Sequence, residues 1–151
     1  MRKKEKEITE RAEIDAIIKS CIVCRLAMAD GGQPYMVPLC FGYRDNTLFF
    51  HTSRAGRKLE ILRENPRVCF EFESGCDVIA GETACKWSMR YRSVIGTGTA
   101  AFVETPADKR RALDVIMQQY TTGAFEYPET TLAIVTIIKV DIDASSGKAS
   151  N

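Results

Sequence analysis

Apolar positions along this chain recur with two different spacings. Ile8, Ala12, Ile14, Ile17 and Ile18 fall roughly on one side at helical spacing, predicting a helix over Thr9–Ser20. The period then shortens. Residues 22–29 form a β-rich run closed by Asp30-Gly31-Gly32, a strong turn signal. Residues 35–43 read as a second strand, in which Pro38 must sit at an edge or bulge because it has no N–H for a ladder. Arg44-Asp45-Asn46 is the next turn and 47–52 the third strand. Ser53 is expected to cap a short helix over 55–64, which stops before Asn65-Pro66.

In the second half, Val68, Phe70 and Phe72 alternate with Arg67, Cys69 and Glu71, the pattern of a half-buried strand. Residues 74–84, with Gly75 and Gly81, read as a loop. A long strand over 87–103 contains Gly96 and Gly98, which permit a sharp bend. Thr105-Pro106-Ala107-Asp108 is a helix start, with a cap, a proline at the first position and an acid at the third. That helix runs to about Tyr120, and the last strand covers 132–142. Residues 1–8, most of them charged, are expected to fray, and 144–151 to form a tail.

These elements make about six strands and three helices. Tight connections favour antiparallel pairing, and a sheet so rich in β-branched residues must close or be covered. The expected fold is mainly β (α+β): one domain over 1–151, a small split barrel of antiparallel strands with short helices plugging its ends.

Composition narrows the function. The chain has 45% hydrophobic and 27% charged residues, enough for a core without disulfide staples. A formal net charge of +1 argues against a general nucleic-acid binder. No apolar run reaches transmembrane length, and the charged start lacks the apolar stretch of a signal peptide, so a cytoplasmic protein without membrane attachment is expected. Cys21 and Cys24 form a C-x-x-C, but no second such pair exists and His51 is the sole histidine, so no metal site is expected. Cys24 lies in an apolar run and reads as a small buried hydrophobe, whereas Cys76 and Cys85 flank the loop as exposed thiols.

The most informative stretch is His51-Thr52-Ser53-Arg54-Ala55-Gly56-Arg57-Lys58, joining a strand end to a helix start. Amides in a first helical turn have no intrahelical acceptors and carry partial positive charge, which favours an anion. Thr52 and Ser53 add hydroxyls, Gly56 lets a ligand approach the backbone, and Arg54, Arg57 and Lys58 add cations suited to phosphate. The same residues also suit a capped surface helix with solvated charges. His51 can donate a proton or hold an anion there, although a lone histidine at a strand end is more often structural. The stretch Trp87–Thr99 carries Arg90, Arg92 and Ser93, which suit either donors to a heterocycle or an exposed basic face.

Four blocks in order carry a resemblance: P-Y-M-V-P-L-C-F-G-Y at 34–43, L-F-F-H-T-S-R-A-G-R-K-L at 48–59, N-P-R-V-C-F at 65–70 and Y-R-S-V-I-G-T-G-T-A at 91–100. Together with D-I-D-A-S-S-G-K at 141–148, they resemble the flavin-nucleotide-binding proteins related to pyridoxamine 5′-phosphate oxidase, in particular the nitroimidazole-resistance (Nim-like) group. The resemblance implies a split barrel and a homodimer holding two FMN molecules between its subunits. It implies that Val37, Pro38 and Leu39 run along the flavin, and that Arg57 and Lys58 grip its phosphate with hydroxyls from Thr52 or Ser53. It also implies that Ser93 lies near the ring and that His51 contacts the substrate. The basic C-terminal extension of the oxidases has no counterpart before Asn151, so vitamin B6 oxidation is not expected. The implied activity is an FMN-dependent oxidoreductase, nitroreductase-like, acting on nitroimidazoles or other small organic acceptors. The alternative is a flavin-binding carrier or sensor without turnover.

Overall fold

The computed structural model describes residues 4–150. Its elements are β1 (Glu7–Ile8), α1 (Arg11–Ser20), β2 (Cys24–Asp30), β3 (Gln33–Leu39), β4 (Gly42–Arg44), β5 (Thr47–Thr52), α2 (Arg57–Glu64), β6 (Arg67–Ile79), β7 (Ser88–Val103), α3 (Pro106–Tyr120), α4 (Glu129–Ile134) and β8 (Thr136–Ser150). Short 3-10 turns cover Lys4–Lys6 and Ala84–Lys86. The strands form one antiparallel sheet in the order β3-β2-β6-β7-β8-β5-β4, with β1 also on β8. The sheet curls without closing, so the mainly β split-barrel architecture holds, with eight strands where six were expected and four α-helices where three were.

Each difference has a physical cause. The run 35–43 is two strands, because Phe41 turns fully into the core and its N–H bonds the Tyr120 hydroxyl at 2.8 Å instead of a neighbouring strand. The expected loop after Phe72 is instead strand as far as Ile79, carried past a register shift between Ser74 and Asp77 with Gly75 at φ 64°. The expected tail is the second half of β8, where Ala144–Ser150 pair with Thr97–Tyr91. Its small polar residues give no apolar alternation. Glu7 and Ile8, expected to fray, pair with Lys148 and Gly147, and Ile8 is buried. Leu132 begins no strand. It lies in α4, and β8 starts only at Thr136.

The barrel interior is aromatic and aliphatic. Phe41, Phe50, Phe70, Phe72, Leu26, Leu48 and Val94 are fully buried, with the Phe41 and Phe72 rings 4.7 Å apart. Ile14, Ile17 and Ile18 of α1 and Leu59, Ile61 and Leu62 of α2 belong to the same core. A second, smaller cluster lies outside the sheet, where Ala112 and Leu113 of α3 and Leu132 of α4 cover Ile137. Pro38 sits on β3, an edge strand, as its missing N–H requires.

The bend of β7 is set by Gly96. A Cβ there would lie 2.2 Å from Phe70 Cζ and 2.6 Å from the Ala144 carbonyl oxygen, and the β7–β8 register slips one step further on, between Thr97 and Gly98. Gly96→Ala should therefore overpack the core and lower stability by about 1–3 kcal/mol. Urea denaturation measures this, and an unchanged midpoint would contradict the packing described.

Candidate functional site

β4 covers β5 only along Thr47–Phe49, so Phe50–Thr52 have no β4 partner. The chain leaves β5 there, crosses residues 53–56 and enters α2. Ser53 does not cap α2, contrary to expectation. The helix begins at Arg57 with Gly56 as its cap residue, and the Ser53 hydroxyl donates to the Ala55 carbonyl at 2.9 Å. Gly56 holds φ 141°, a conformation that disfavours side chains, and a Cβ built there meets nothing within 4 Å. No side chain caps α2, and the space beside Gly56 is open. An anion is the natural partner for such a helix start.

Arg57 is fixed from the other side by the β2–β3 hairpin. Its guanidinium lies 4.7 Å from the centroid of the Tyr35 ring, and its Nη2 is 3.4 Å from Asp30 Oδ2. Arg54 is exposed and Lys58 half-buried. Tyr35, Val37 and Leu39 alternate along β3 as half-buried residues against the main core, whereas Met36 and Pro38 are exposed. The fold therefore brings Arg57 beside Tyr35, two positions from Val37.

The remaining candidates disperse. Adjacent residues of a strand face opposite sides, so His51 and Thr52 diverge. His51 is exposed and shares the face of its register partner Ile137, the side that α3 and α4 cover. Ser93 pairs with Glu73 and Lys148. It is separated along β7 from Val103, the residue opposite Ile137, by about 33 Å at strand rise. Ser93 and the β7 residue level with His51 are thus ten positions apart along the strand. A cleft of about 560 Å³ lies between α3 and the outer faces of β5 and β8, lined by Phe49, Phe102, Val103, Arg44, Arg111 and Lys139. It contains none of the expected site residues. Arg57 instead borders a cleft of about 430 Å³ with Asp30, Gly31, Gly32, Glu60 and Asn65. The parts of this corner missed in the sequence are Asp30 and Tyr35. The sequence shows Asp30 only as part of a turn and Tyr35 only as the start of a strand, and no local pattern places Arg57 against them.

Residues 10–149 match the family described as pyridoxamine 5′-phosphate oxidase. A candidate 5-nitroimidazole antibiotic resistance protein from Bacteroides thetaiotaomicron is 35% identical, aligned over 95% of this chain and 86% of that one, with a TM-score of 0.86. The chain belongs to the pyridoxamine 5′-phosphate oxidase family. An FAD- and heme-binding protein from Mycobacterium smegmatis shares the fold at 24% identity and TM-score 0.88, over 97% of this chain and 74% of that one. An uncharacterized protein of Rhizobium meliloti (strain 1021) is 26% identical over 100 residues, which is 66% of this chain and 58% of that relative. The family match encloses the four sequence blocks, which lie between residues 34 and 100.

Among the described residues of this family member, no three His, Cys, Asp or Glu side chains converge as a metal site. Among the same described residues, no helix is long and apolar enough to cross a membrane. Cys21 and Cys24 are buried, whereas Cys40, Cys69, Cys76 and Cys85 are exposed. Burial, reinforced by the Glu71 carboxylate, pushes the Cys24 thiol far up, and burial also raises Cys21 against hydrogen bonds from Ser20 and Ser74. Cys76 is raised as well, by desolvation first and then by the neighbouring Glu73. Thiolate is the reactive form, so a raised pKa moves reactivity to higher pH. Iodoacetamide at pH 8 should modify Cys40, Cys69 and Cys85 in the native protein while Cys21 and Cys24 stay protected. Peptide mapping reads the result, and early labelling of Cys24 would contradict it.

Proposed function

We propose that this protein binds FMN and acts as an FMN-dependent oxidoreductase on small organic acceptors of the nitroimidazole type. The observation that carries the reading is the corner where the open start of α2 meets the Arg57 guanidinium held on Tyr35. Open amides, an unobstructed glycine and a guanidinium fit a phosphate dianion. The relative that is 35% identical and described as a candidate 5-nitroimidazole resistance protein supports the acceptor class. The FAD- and heme-binding neighbour supports a flavin more broadly.

In this reading Arg57 and Lys58 hold the phosphate, with Thr52 and Ser53 contributing hydroxyls, and the backbone of Val37, Pro38 and Leu39 lies along the flavin. When bound, FMN supplies the electron transfer. His51, exposed on the strand leaving the barrel, orients the acceptor and holds a proton for it. Ser93 on β7 and Arg57 on α2 serve one flavin through a homodimer whose second copy completes each site. Exposed apolar residues on the barrel's outer sheet face support that assembly: Met36 is 57% and Ile95 53% exposed. The barrel is expected to work in the cytoplasm.

A second reading, a flavin carrier or sensor without turnover, is favoured by the position of the cleft of about 560 Å³, away from the corner. Acceptor-dependent reoxidation of the reduced protein separates the two readings, because a carrier gives none.

Purified protein should be yellow with a flavin spectrum. Lys58→Ala should weaken FMN binding about ten- to hundredfold, through loss of a charge-assisted contact worth about 1.5–3 kcal/mol. Lys148→Ala, whose ammonium lies 5.3 Å from the Tyr91 ring centroid, should leave the affinity near the parent's. Equal dissociation constants in fluorescence titration would refute the assigned corner. For the assembly, Ile95→Arg should convert a dimer to a monomer in light scattering, and an unchanged mass would remove that face from the interface.

A further inference from the structure

We infer that Tyr35 is the positioning residue for Arg57, and that it sets how strongly the corner selects a phosphorylated ligand over its unphosphorylated counterpart. The inference rests on the phosphate reading above. A guanidinium offers two kinds of surface. Its flat face meets aromatic rings, while its N–H donors lie in the plane and point outward. The Arg57 guanidinium carbon lies over the Tyr35 ring, 4.7 Å from its centroid, and stacking of this kind engages the guanidinium's face and leaves its edges for an anion. Asp30, at 3.4 Å from Nη2, engages one edge only.

The platform itself is well held. Tyr35 is half-buried against the main core cluster, opposite Met28 in the β2–β3 ladder. Asp30 pairs with Gln33 across a turn in which Gly31 and Gly32 hold φ 55° and 93°. Both contacts to Arg57 therefore come from one tight hairpin, while Arg57 opens α2. An unrestrained arginine loses rotamer freedom when it clamps a ligand. Stacking on Tyr35 removes part of that loss beforehand, so ring removal should weaken phosphate binding without touching the ligand directly.

The test measures dissociation constants for FMN and riboflavin in the parent, Tyr35→Leu, Tyr35→Phe, Arg57→Ala and the Tyr35→Leu/Arg57→Ala double variant. Thermal unfolding accompanies each, and Tyr35→Val replaces Tyr35→Leu if the latter does not fold. Tyr35→Leu should weaken FMN about two- to fivefold, the loss expected for an exposed cation–π contact, with riboflavin unchanged. Tyr35→Phe, which keeps the ring, should restore the parent's affinity. In the Arg57→Ala background, Tyr35→Leu should have no further effect. A riboflavin loss equal to the FMN loss, or an undiminished Tyr35 effect without Arg57, would overturn the inference. A parent that binds FMN and riboflavin equally, with Arg57→Ala without effect, would instead overturn the phosphate reading itself.

Discussion

Two long strands must bend together for this sheet to become a barrel, and the bend depends on an absent side chain. At Gly96 the β7 backbone passes so close to Phe70 that even a methyl group would collide with the ring. Next to it the register of β7 on β8 slips, and at Gly98 the Asp141 carbonyl and Val140 again leave no room for a Cβ. These contacts let β7 and β8 wrap around Phe70 and Phe72 instead of running flat. β8 also carries β5 and β1 along its other side, so its curvature is passed to most of the sheet. Flat strands here would leave the aromatic core exposed on one face.

Curling without closing creates the corner where the candidate site lies. The two edge strands, β3 and β4, are joined through Cys40 and Phe41 alone. Phe41 plugs the core, and the Tyr120 hydroxyl takes its N–H while donating to the Ile22 carbonyl at 3.0 Å. One α3 side chain thus ties together the start of β2 and the junction of the edges. Burial pushes that phenol up to about 12, so it keeps its proton and both bonds throughout the neutral range. With the junction fixed, β3 presents Tyr35 to Arg57, and α2 presents its open first turn beside it.

The sequence made much of this legible where local chemistry acted alone. The helix start at Thr105 is as read, its hydroxyl accepting from the Asp108 amide at 3.1 Å. The core face Val68, Phe70, Phe72 is as read, and so is the edge position of Pro38. What failed was decided by distant residues. Ala12 is exposed although its spacing suits the helix's apolar side, because the barrel mouth covers only Ile14, Ile17 and Ile18. The end of β8 is a strand because β7 supplies its partners, not because Ser145, Ser146 or Gly147 favour one. At the candidate site, the cations and the glycine were visible, but the cap was assigned to Ser53. Its hydroxyl turns back on Ala55, and the chain needs Gly56 to enter the helix. The contact of Arg57 with Asp30 and Tyr35 joins segments more than twenty positions apart, which no local pattern encodes.

The same long strands that build the core also scatter the candidate residues. A strand carries its ends apart by about 3.3 Å per residue, and neighbours along it alternate in direction. Ser93 and the β7 residue level with His51 are therefore separated by most of the barrel's length, and His51 and Thr52 leave the same strand on opposite faces. A helix would have gathered such residues onto one stripe; a sheet gathers residues across strands instead. Along the row Pro38–Arg25–Glu71–Ile95 it places an exposed ion pair, 3.0 Å between Arg25 and Glu71, between Pro38 and an Ile95 that is half exposed. That row spans four strands on the outer face of the barrel. A ligand touching both β3 and β7 must lie across this face, and a cover for it has to come from outside the strands that form it. In a sheet protein of this size, what lies against the outer face is thus decided beyond the strands themselves, whereas the corner around Arg57, Asp30 and Tyr35 is built by the chain itself.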